Sequence, residues 1–333
     1  MVGDNVFRPT PPNPSQHIVW PAAFGQRYTI FVDAEEEFDW TGPFDRDARA
    51  VESAAAIPSA TRRFAGLGAP LTFLVDHPIA TDPAAIEPVR RALEDGVSAV
   101  GTQLHPWVNP PFGEEVCLIN SFVGNLPKAL EAAKLNVLTD TITDSFGAAP
   151  TIYRAGRYGI GPNTLALLAE RGYRIDSSMR SRYDYSGQGG PDYSAIGNDA
   201  FTVLDGALVE LPLTTVYTGA LRDRGPRIHP VAAGIPRLTG VLARTRMLGR
   251  VALTPEDMPL EDALEAVRVI VGEGLPLLNF SFHSPSLVAG HTPYVRDSSD
   301  LAEFWKWWDA VLTLLAVRGV RSASQAELLA ALD

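Results

Sequence analysis

Short apolar runs alternate with longer segments of helical periodicity along most of this chain. The short runs predict strands, because each is only a few residues long and most are bounded by Gly, Pro or Asp. The predicted strands cover 28–33, 71–76, 97–103, 151–154, 173–176, 208–213 and 275–283. The predicted helices cover 48–67, 83–95, 126–146, 162–172, 260–272, 299–318 and 325–332, and a short strand or turn begins at Arg321.

This alternation predicts an α/β fold with parallel strands inside and helices outside. About seven strands with no linker between them favour a single barrel domain over 27–333 rather than two domains. Residues 1–26 are rich in proline, which predicts an extended arm on the barrel surface, with a disordered tail as the alternative. Gly, Ser, Tyr and Asp are frequent over 179–207, which predicts a long loop there.

A dense acidic run follows the first predicted strand. In parallel α/β folds, active-site groups project from the carboxyl ends of strands. Asp33 and Glu35 are two residues apart, so on a strand they face the same side, where one could act as a base and the other as a metal ligand. A solvated acidic loop is the alternative. The run holds Asp33, Glu35, Glu36, Glu37 and Asp39.

Three further strand ends carry residues with useful chemistry. Gln103 and His105 stand at the end of the third strand, Arg154 and Arg157 follow the fourth, and His283 ends the strand at 275–283. Each of them alone has an ordinary structural interpretation. Together on one rim they offer a neutral imidazole, a cation to orient the carboxylate base and a histidine acid. That set, with Asp33, is what a hydrolytic site needs.

The composition narrows the classes of function. The chain has 39 acidic and 28 basic residues and a formal net charge of -11, which argues against nucleic acid as a partner. The single cysteine, Cys117, excludes an internal disulfide and a cysteine-only metal site. No apolar stretch reaches the roughly 18 residues of a membrane helix, so we expect no membrane span. The first 26 residues lack a signal-peptide pattern, which predicts a cytoplasmic protein.

At these strand ends the sequence resembles the polysaccharide deacetylase (NodB-homology) superfamily, and within it the WalW-like branch. The resemblance runs from about Tyr28 to the C-terminus. Residues 31–35 resemble a spaced form of the T-F-D-D-G motif, 101–107 stand in place of H-[S/T]-x-x-H, and 154–159 resemble R-x-P-Y-G. The resemblance implies a distorted, incomplete (β/α) barrel that removes N- or O-acyl groups, usually acetyl, from carbohydrates. It also implies a divalent metal, commonly zinc.

The resemblance further implies roles in general acid–base hydrolysis for single residues. Asp33 takes the place of the base, and His283 supplies the histidine acid of the last motif. Either Arg154 or Arg157 takes the place of the arginine that orients the base. Glu35 takes the place of a metal ligand.

The chain departs from the family pattern at the metal site. Ala34 stands where the second aspartate of T-F-D-D-G is expected, Gln103 where the first metal histidine is expected, and Trp107 where the second is expected. Glutamine is a poor ligand for zinc, which favours imidazole and thiolate. Glu35, His105 and Gln103, with water, are the predicted metal ligands.

Several residues near the strand ends are predicted to contact a substrate. Two segments, 180–198 and 214–229, could close over the barrel mouth. The second contains Arg222, Arg224 and Arg227, which could meet an anionic substrate or belong to a solvated loop. Two other functions stay open: a catalytically silent barrel that binds a glycan or sugar, and a metal-poor amidohydrolase acting on a small non-peptide amide. No pattern specifies the acyl acceptor or the oligomeric state. The predicted substrate-binding residues are Trp40, Trp107, Tyr158 and Ser284.

Overall fold

The computed structural model describes residues 6–333. The strands are β1 (Arg27–Ala34), β2 (Leu71–Val75), β3 (Ala99–Leu104), β4 (Ile152–Ala155), β5 (Ile175–Asp176), β6 (Phe201–Val203), β7 (Leu208–Glu210), β8 (Thr215–Thr218), β9 (Gly249–Ala252), β10 (Leu277–His283) and β11 (Arg321–Ser322). The helices are α1 (Ile57–Gly66), α2 (His77–Thr81), α3 (Pro83–Ala92), α4 (Lys128–Phe146), α5 (Thr164–Glu170), α6 (Gly225–Ala233), α7 (Leu238–Arg244), α8 (Leu260–Gly272), α9 (Ser298–Val317) and α10 (Gln325–Leu332). Among residues 6–333, no helix is both long enough and apolar enough to cross a bilayer.

Nine strands form one curved sheet in the order β10-β1-β2-β3-β4-β5-β7-β6, with β11 beside β1. Its strands pair in parallel except β6, which runs antiparallel to β7. Within the described range β10 and β6 do not pair with each other, so the barrel stays open between them. This confirms the predicted α/β fold, an incomplete (β/α) barrel with outer helices.

Each of the seven predicted strands is present, but several elements are absent from the sequence-based prediction. β6 lies inside 179–207, where the pattern predicts only a loop, and it has just three residues on an edge of the sheet. β8 and β9 form a separate antiparallel pair, and α6 and α7 lie between them. Such short strands give too few alternations to stand out in a sequence.

The central strands are buried on both faces, which explains their nearly continuous apolar runs. Phe280 and Phe282 of β10 face the outer layer and pack on Trp308 of α9, with ring centroids 6.0 and 5.5 Å apart. Phe31 of β1 faces the inside of the barrel, in a second buried cluster with Leu74. Because both faces are filled, polar residues of these strands reach a cavity only at the strand ends.

The proline-rich segment runs along the β6 edge of the sheet. The Ile18 amide donates to the Ala200 carbonyl at 2.9 Å, and the Gln16 side chain donates to the Thr202 carbonyl at 3.3 Å. These bonds occupy the exposed edge of β6, which would otherwise offer unpaired backbone groups. Residues 1–5 of the predicted arm lie outside the described range. The division of the chain into an arm and one barrel domain stays a prediction.

Candidate active site

Strand register brings the predicted residues together at one rim of the barrel. β1 and β10 are paired so that Asp33 lies beside His283. β3 and β4 are paired so that Gln103 lies beside Arg154. Parallel strands end on the same side of the sheet, so these four residues surround one depression.

Asp33 is a buried carboxylate held in place by Arg154. The Arg154 Nη1 donates to Asp33 Oδ1 at 2.6 Å, and its Nε donates to the Ser177 carbonyl at 3.0 Å. Arg154 itself has no exposed surface. The other Asp33 oxygen, Oδ2, lies 3.7 Å from His283 Nε2. The fully buried guanidinium thus fixes the Asp33 carboxylate through Oδ1 and leaves Oδ2 facing His283.

Arg157 does not contact Asp33, so of the two predicted arginines only Arg154 lies against the candidate base. Its guanidinium donates to Ser121 Oγ and Gln188 Oε1 and lies 4.1 Å from the Phe122 ring centroid. The backbone turns here through two left-handed residues, Arg157 with φ 55° and Tyr158 with φ 61°. After this turn the Arg157 guanidinium lies against Ser121 and Gln188.

His283 is oriented by a residue that the sequence pattern does not reveal, Glu256. His283 Nδ1 lies 2.7 Å from Glu256 Oε2, and the His283 amide donates to Glu256 Oε1 at 3.1 Å. Ser286 Oγ also donates to Glu256 Oε1, at 2.6 Å. Burial alone would lower the pKa of His283, but the neighbouring carboxylates, Glu256 first and then Glu35 and Asp33, outweigh it and raise the pKa to about 10. His283 is therefore a cation near neutral pH, with Nε2 directed at Asp33.

Three predicted metal ligands also meet at the rim. The Gln103 amide nitrogen lies 2.9 Å from Glu35 Oε2 and 3.2 Å from His105 Nε2. Glu35 Oε2 and His105 Nε2 are 3.5 Å apart. The three side chains thus form a small triangle beside Asp33 and His283.

Glu36 supports His105 from behind. His105 Nδ1 lies 2.8 Å from Glu36 Oε2, and the Trp107 indole donates to Glu36 Oε1 at 2.8 Å. The Glu36 amide donates to Asp76 Oδ2 at 2.8 Å. Glu36 thus engages Nδ1 of His105, and Nε2 is the ring nitrogen that faces Glu35 and Gln103.

The loop that carries His105 is held by a buried ammonium group. Lys134 of α4 has no exposed surface, and its Nζ donates to the carbonyls of Pro106 and Asn109 at 2.9 and 2.6 Å. The same atom lies 3.1 Å from Glu114. Gly156 borders the opposite side of His105, where any Cβ would overlap the imidazole ring. His105 is therefore fixed from both sides.

The site contains more buried carboxyl groups than neighbouring cations. Burial raises the pKa of Glu35 to about 7 and that of Glu36 to about 8, and it raises the pKa of Asp76 well above its usual range. Burial also lowers the pKa of His105, which favours the neutral imidazole. Carboxylates with raised pKa values indicate a place where an added cation would be stabilising.

The residues fit a divalent metal. The side-chain atoms of Glu35, Gln103 and His105 are separated by 2.9 to 3.5 Å, a spacing suited to ligands about 2.1 Å from one ion. Glu35 Oε1 and Gln103 Oε1 are both buried without a hydrogen-bond partner. A half-turn of the Gln103 amide would present its oxygen to the ion.

Glu36, Asp76 and His105 also offer three ligand atoms within 4.8 Å of one another, so this buried group could hold a metal as well. Its atoms are already bonded to one another and to Trp107, which favours a supporting role.

The site opens into a cavity of about 360 Å³ lined with aromatic side chains. Trp40 lies against His283 and Tyr294, with ring centroids 4.8 and 5.5 Å apart. The predicted substrate residues Trp40, Trp107 and Tyr158 line it, as does Arg157. Arg222, Arg224 and Arg227 do not line it, and Arg180 does. The remaining lining residues are Asp33, Glu35, Phe38, Asp39, Gly42, Phe44, Gln103, His105, Ala155, Tyr185, Gln188, His283 and Tyr294.

Ser284 has a different place from the predicted one. It is fully buried, lies outside the cavity lining, and accepts a hydrogen bond from the Glu35 amide at 3.3 Å. This contact steadies the backbone that carries Glu35. The structure therefore places Ser284 behind Glu35 and not on the cavity wall.

No protein-family model matches the sequence, and no curated protein matches it either. Solved structures do resemble the fold. A candidate polysaccharide deacetylase from Mycobacterium smegmatis matches with a TM-score of 0.53 and 18% identity, over 96% of this chain and 93% of that one. A candidate glycoside hydrolase/deacetylase from Parabacteroides distasonis matches with a TM-score of 0.55 and 11% identity, over 90% of this chain and 68% of that one.

A third similar structure is the 4-alpha-glucanotransferase from Thermococcus litoralis, with a TM-score of 0.52 and 9% identity. The match covers 92% of this chain but only 40% of that enzyme. At such low identity these resemblances establish the fold alone, the incomplete (β/α) barrel. What the site does has to be argued from its own side chains.

Proposed function

We propose that this chain is a hydrolase that removes an acyl group, N- or O-acetyl, from a carbohydrate by general acid–base catalysis. The observation that carries the proposal is the position of Asp33, whose two oxygens face Arg154 at 2.6 Å and His283 at 3.7 Å. A carboxylate base fixed by an arginine and a histidine acid held protonated by a carboxylate, both facing one cavity, suit acyl hydrolysis. We also propose membership of the polysaccharide deacetylase superfamily, in its WalW-like branch.

The first step uses Asp33 as the base. Arg154 fixes the orientation of the carboxylate through Oδ1, so Asp33 Oδ2 can remove a proton from a water molecule in the cavity. The oxygen of that water attacks the acyl carbon and forms a tetrahedral adduct.

The second step uses His283 as the acid. Glu256 holds Nδ1, so the Nε2 proton points into the cavity. Collapse of the adduct breaks the bond to the sugar nitrogen or oxygen, and His283 Nε2 protonates that leaving atom. The products are the free acid and the sugar amine or alcohol. No covalent bond to the protein forms.

We propose Glu35, His105 and Gln103 as the residues that hold a divalent metal, most suitably zinc. When bound there, such an ion supplies a Lewis acid that polarises the acyl carbonyl and lowers the pKa of water. Glu36 keeps His105 in the tautomer with a free Nε2, and Ser284 steadies the backbone of Glu35. Aromatic side chains such as Trp40 and Tyr158 suit the apolar faces of a sugar ring.

Acetate release from acetylated glycans and small acyl esters tests the proposal. Asp33→Asn should lower kcat/KM by about 100- to 10,000-fold, because it removes a general base. Glu37→Gln is the matched control, since Glu37 belongs to the same acidic run but pairs with His291 at 2.9 Å. Full turnover by Asp33→Asn would contradict the mechanism. Saturable glycan binding without any turnover would support the silent-barrel alternative instead.

Glycoside cleavage is the second candidate. Asp33 and Glu35 both line the cavity, and glycosidases act with two carboxylates that flank the bond. The resembling structures include glucan-acting enzymes as well as deacetylases. New reducing ends without acetate release, measured on the same substrates, would favour this candidate over acyl hydrolysis.

A further inference from the structure

The cavity contains two arginines that make no ion pair. Arg157 and Arg180 both line it. Among residues 6–333, neither has a carboxylate oxygen within 4.0 Å, although the chain has 39 acidic residues. Asp257 is near enough to Arg180 for their charges to interact, but it is not paired with it. Both side chains are half-buried. A partly desolvated cation without a counter-ion on the wall of a cavity is available to bind an anion.

Arg180 is held by aromatic rings. Its guanidinium carbon lies 3.9 Å from the Tyr183 ring centroid and 5.4 Å from that of Tyr158. Arg250 lies 3.8 Å from the same Tyr183 ring, so the two cations occupy opposite faces of it. Stacking fixes the guanidinium plane while leaving its N–H edge free to donate.

The donors of Arg180 are incompletely used. Its Nε is buried without an acceptor, and Nη1 makes only a long contact of 3.5 Å with the Tyr185 hydroxyl. Arg250 differs, because it donates to the Arg182 carbonyl at 3.0 Å and does not line the cavity. An orphaned buried N–H is destabilising, so Arg180 has capacity for an acceptor that the chain does not provide.

The backbone at Arg157 gives an independent indication. Arg157 and Tyr158 are consecutive non-glycine residues with φ of 55° and 61°. Such conformations are strained for residues with a Cβ, and strain of this kind concentrates at ligand sites. Here it places Arg157 and Tyr158 together on the cavity wall.

We propose that the substrate carries an anionic group, a carboxylate or a phosphate, which binds to Arg180 with help from Arg157. The inference rests on the proposed function, which identifies the bond that is broken. It adds that the acylated sugar is negatively charged. The anion accepts hydrogen bonds from the free guanidinium edge of Arg180. The acyl group then lies toward Asp33 and His283.

The test uses three sugars that differ only at C6: N-acetylglucosamine, its 6-phosphate, and 2-acetamido-2-deoxyglucuronic acid. Acetate release gives kcat/KM for each, and calorimetry gives Kd for any sugar that is not hydrolysed. We expect at least one anionic sugar to be preferred over the neutral one by about 10- to 100-fold. Arg180→Gln should abolish the preference, and 0.5 M NaCl should weaken it. Arg250→Gln, which removes an equal charge outside the cavity, should preserve it.

The outcomes separate this inference from the proposed function. Preference for the phosphate or for the carboxylate identifies which anion the site takes. Equal use of all three sugars, or a preference that survives Arg180→Gln, would overturn the anionic subsite while acyl hydrolysis stands. Anion-dependent binding that Arg180→Gln removes, without acetate release from any acyl donor, would uphold the subsite and overturn acyl hydrolysis.

Discussion

Replacing Glu256 by glutamine isolates the electrostatic contribution of this residue to His283. The two side chains are joined through Nδ1 and Oε2 at 2.7 Å, and the substitution keeps the shape while removing the charge. Two unit charges at 2.7 Å attract by about 1.5 kcal/mol at the dielectric constant of water and by about 6 kcal/mol at an effective value of 20. At about 1.4 kcal/mol for each pKa unit, Glu256→Gln should lower the pKa of His283 by about 1 to 4.

The pKa of His283 can be followed by NMR of the protein labelled at its histidines. The chain has six histidines, and the resonance missing from His283→Gln identifies the relevant one. We expect a pKa near 10 in the parent protein and a value well below it in Glu256→Gln. The basic limb of the pH–rate profile should move by the same amount, because deprotonated His283 cannot serve as the acid.

Stability should change with pH in the same variant. The folded pKa of His283, about 10, is higher than its ordinary value of 6.5. Its contribution is therefore complete below about pH 6.5 and lost as the pH rises through 10. Glu256→Gln should cost about 3 kcal/mol at pH 6 and little at pH 10, by urea denaturation.

Asp257→Asn is the matched control, because it removes a charge from the next residue without contacting His283. It should leave the pKa of His283 nearly unchanged. A His283 resonance that still titrates near 10 in Glu256→Gln would refute this assignment of Glu256.

Three further substitutions test other parts of the site. Arg154→Met should destabilise the fold by about 3–5 kcal/mol in urea, because the buried Asp33 carboxylate would lose the donor at 2.6 Å and keep only the longer 3.7 Å contact with His283; a loss below 1 kcal/mol would contradict the ion pair. Gln103→His should raise zinc affinity at least tenfold in competition with a chromogenic chelator, because imidazole is a better zinc ligand than an amide. Unchanged affinity would argue against the position of the metal. Gly156→Ala should lower Tm by several degrees, since the new methyl group would overlap His105; an unchanged Tm would show that the turn can relax.

The sequence predicts the convergence of Asp33, His283, Gln103 and Arg154 because parallel topology leaves little freedom. Apolar runs locate the strands, and the carboxyl ends of parallel strands meet at one rim. The choice between Arg154 and Arg157 depends on backbone conformation. Arg154 lies on β4 and faces inward. Arg157 lies after the strand, in a left-handed turn that no periodicity indicates.

The hydrophobic pattern of the sequence does not identify two residues of the site, Glu256 and Arg180, and the reason is physical. Glu256 lies in a loop after β9, a strand of four residues whose antiparallel pairing with β8 has weak periodicity. Arg180 lies in the stretch 179–207, where frequent Gly, Ser and Asp hide any regular pattern. Both gain their roles from tertiary contacts with distant strands, and one chain's hydrophobic pattern does not encode such contacts directly.

Hydrolysis in H₂¹⁸O tests acyl cleavage most directly. The purified protein is incubated with an acetylated glycan that it turns over, and both products are analysed by mass spectrometry. Attack of water on the acyl carbon, activated by Asp33, predicts one ¹⁸O atom in each released acetate and none in the sugar. Incorporation of ¹⁸O at the anomeric carbon of a newly formed reducing end, with unlabelled acetyl groups retained, would contradict it.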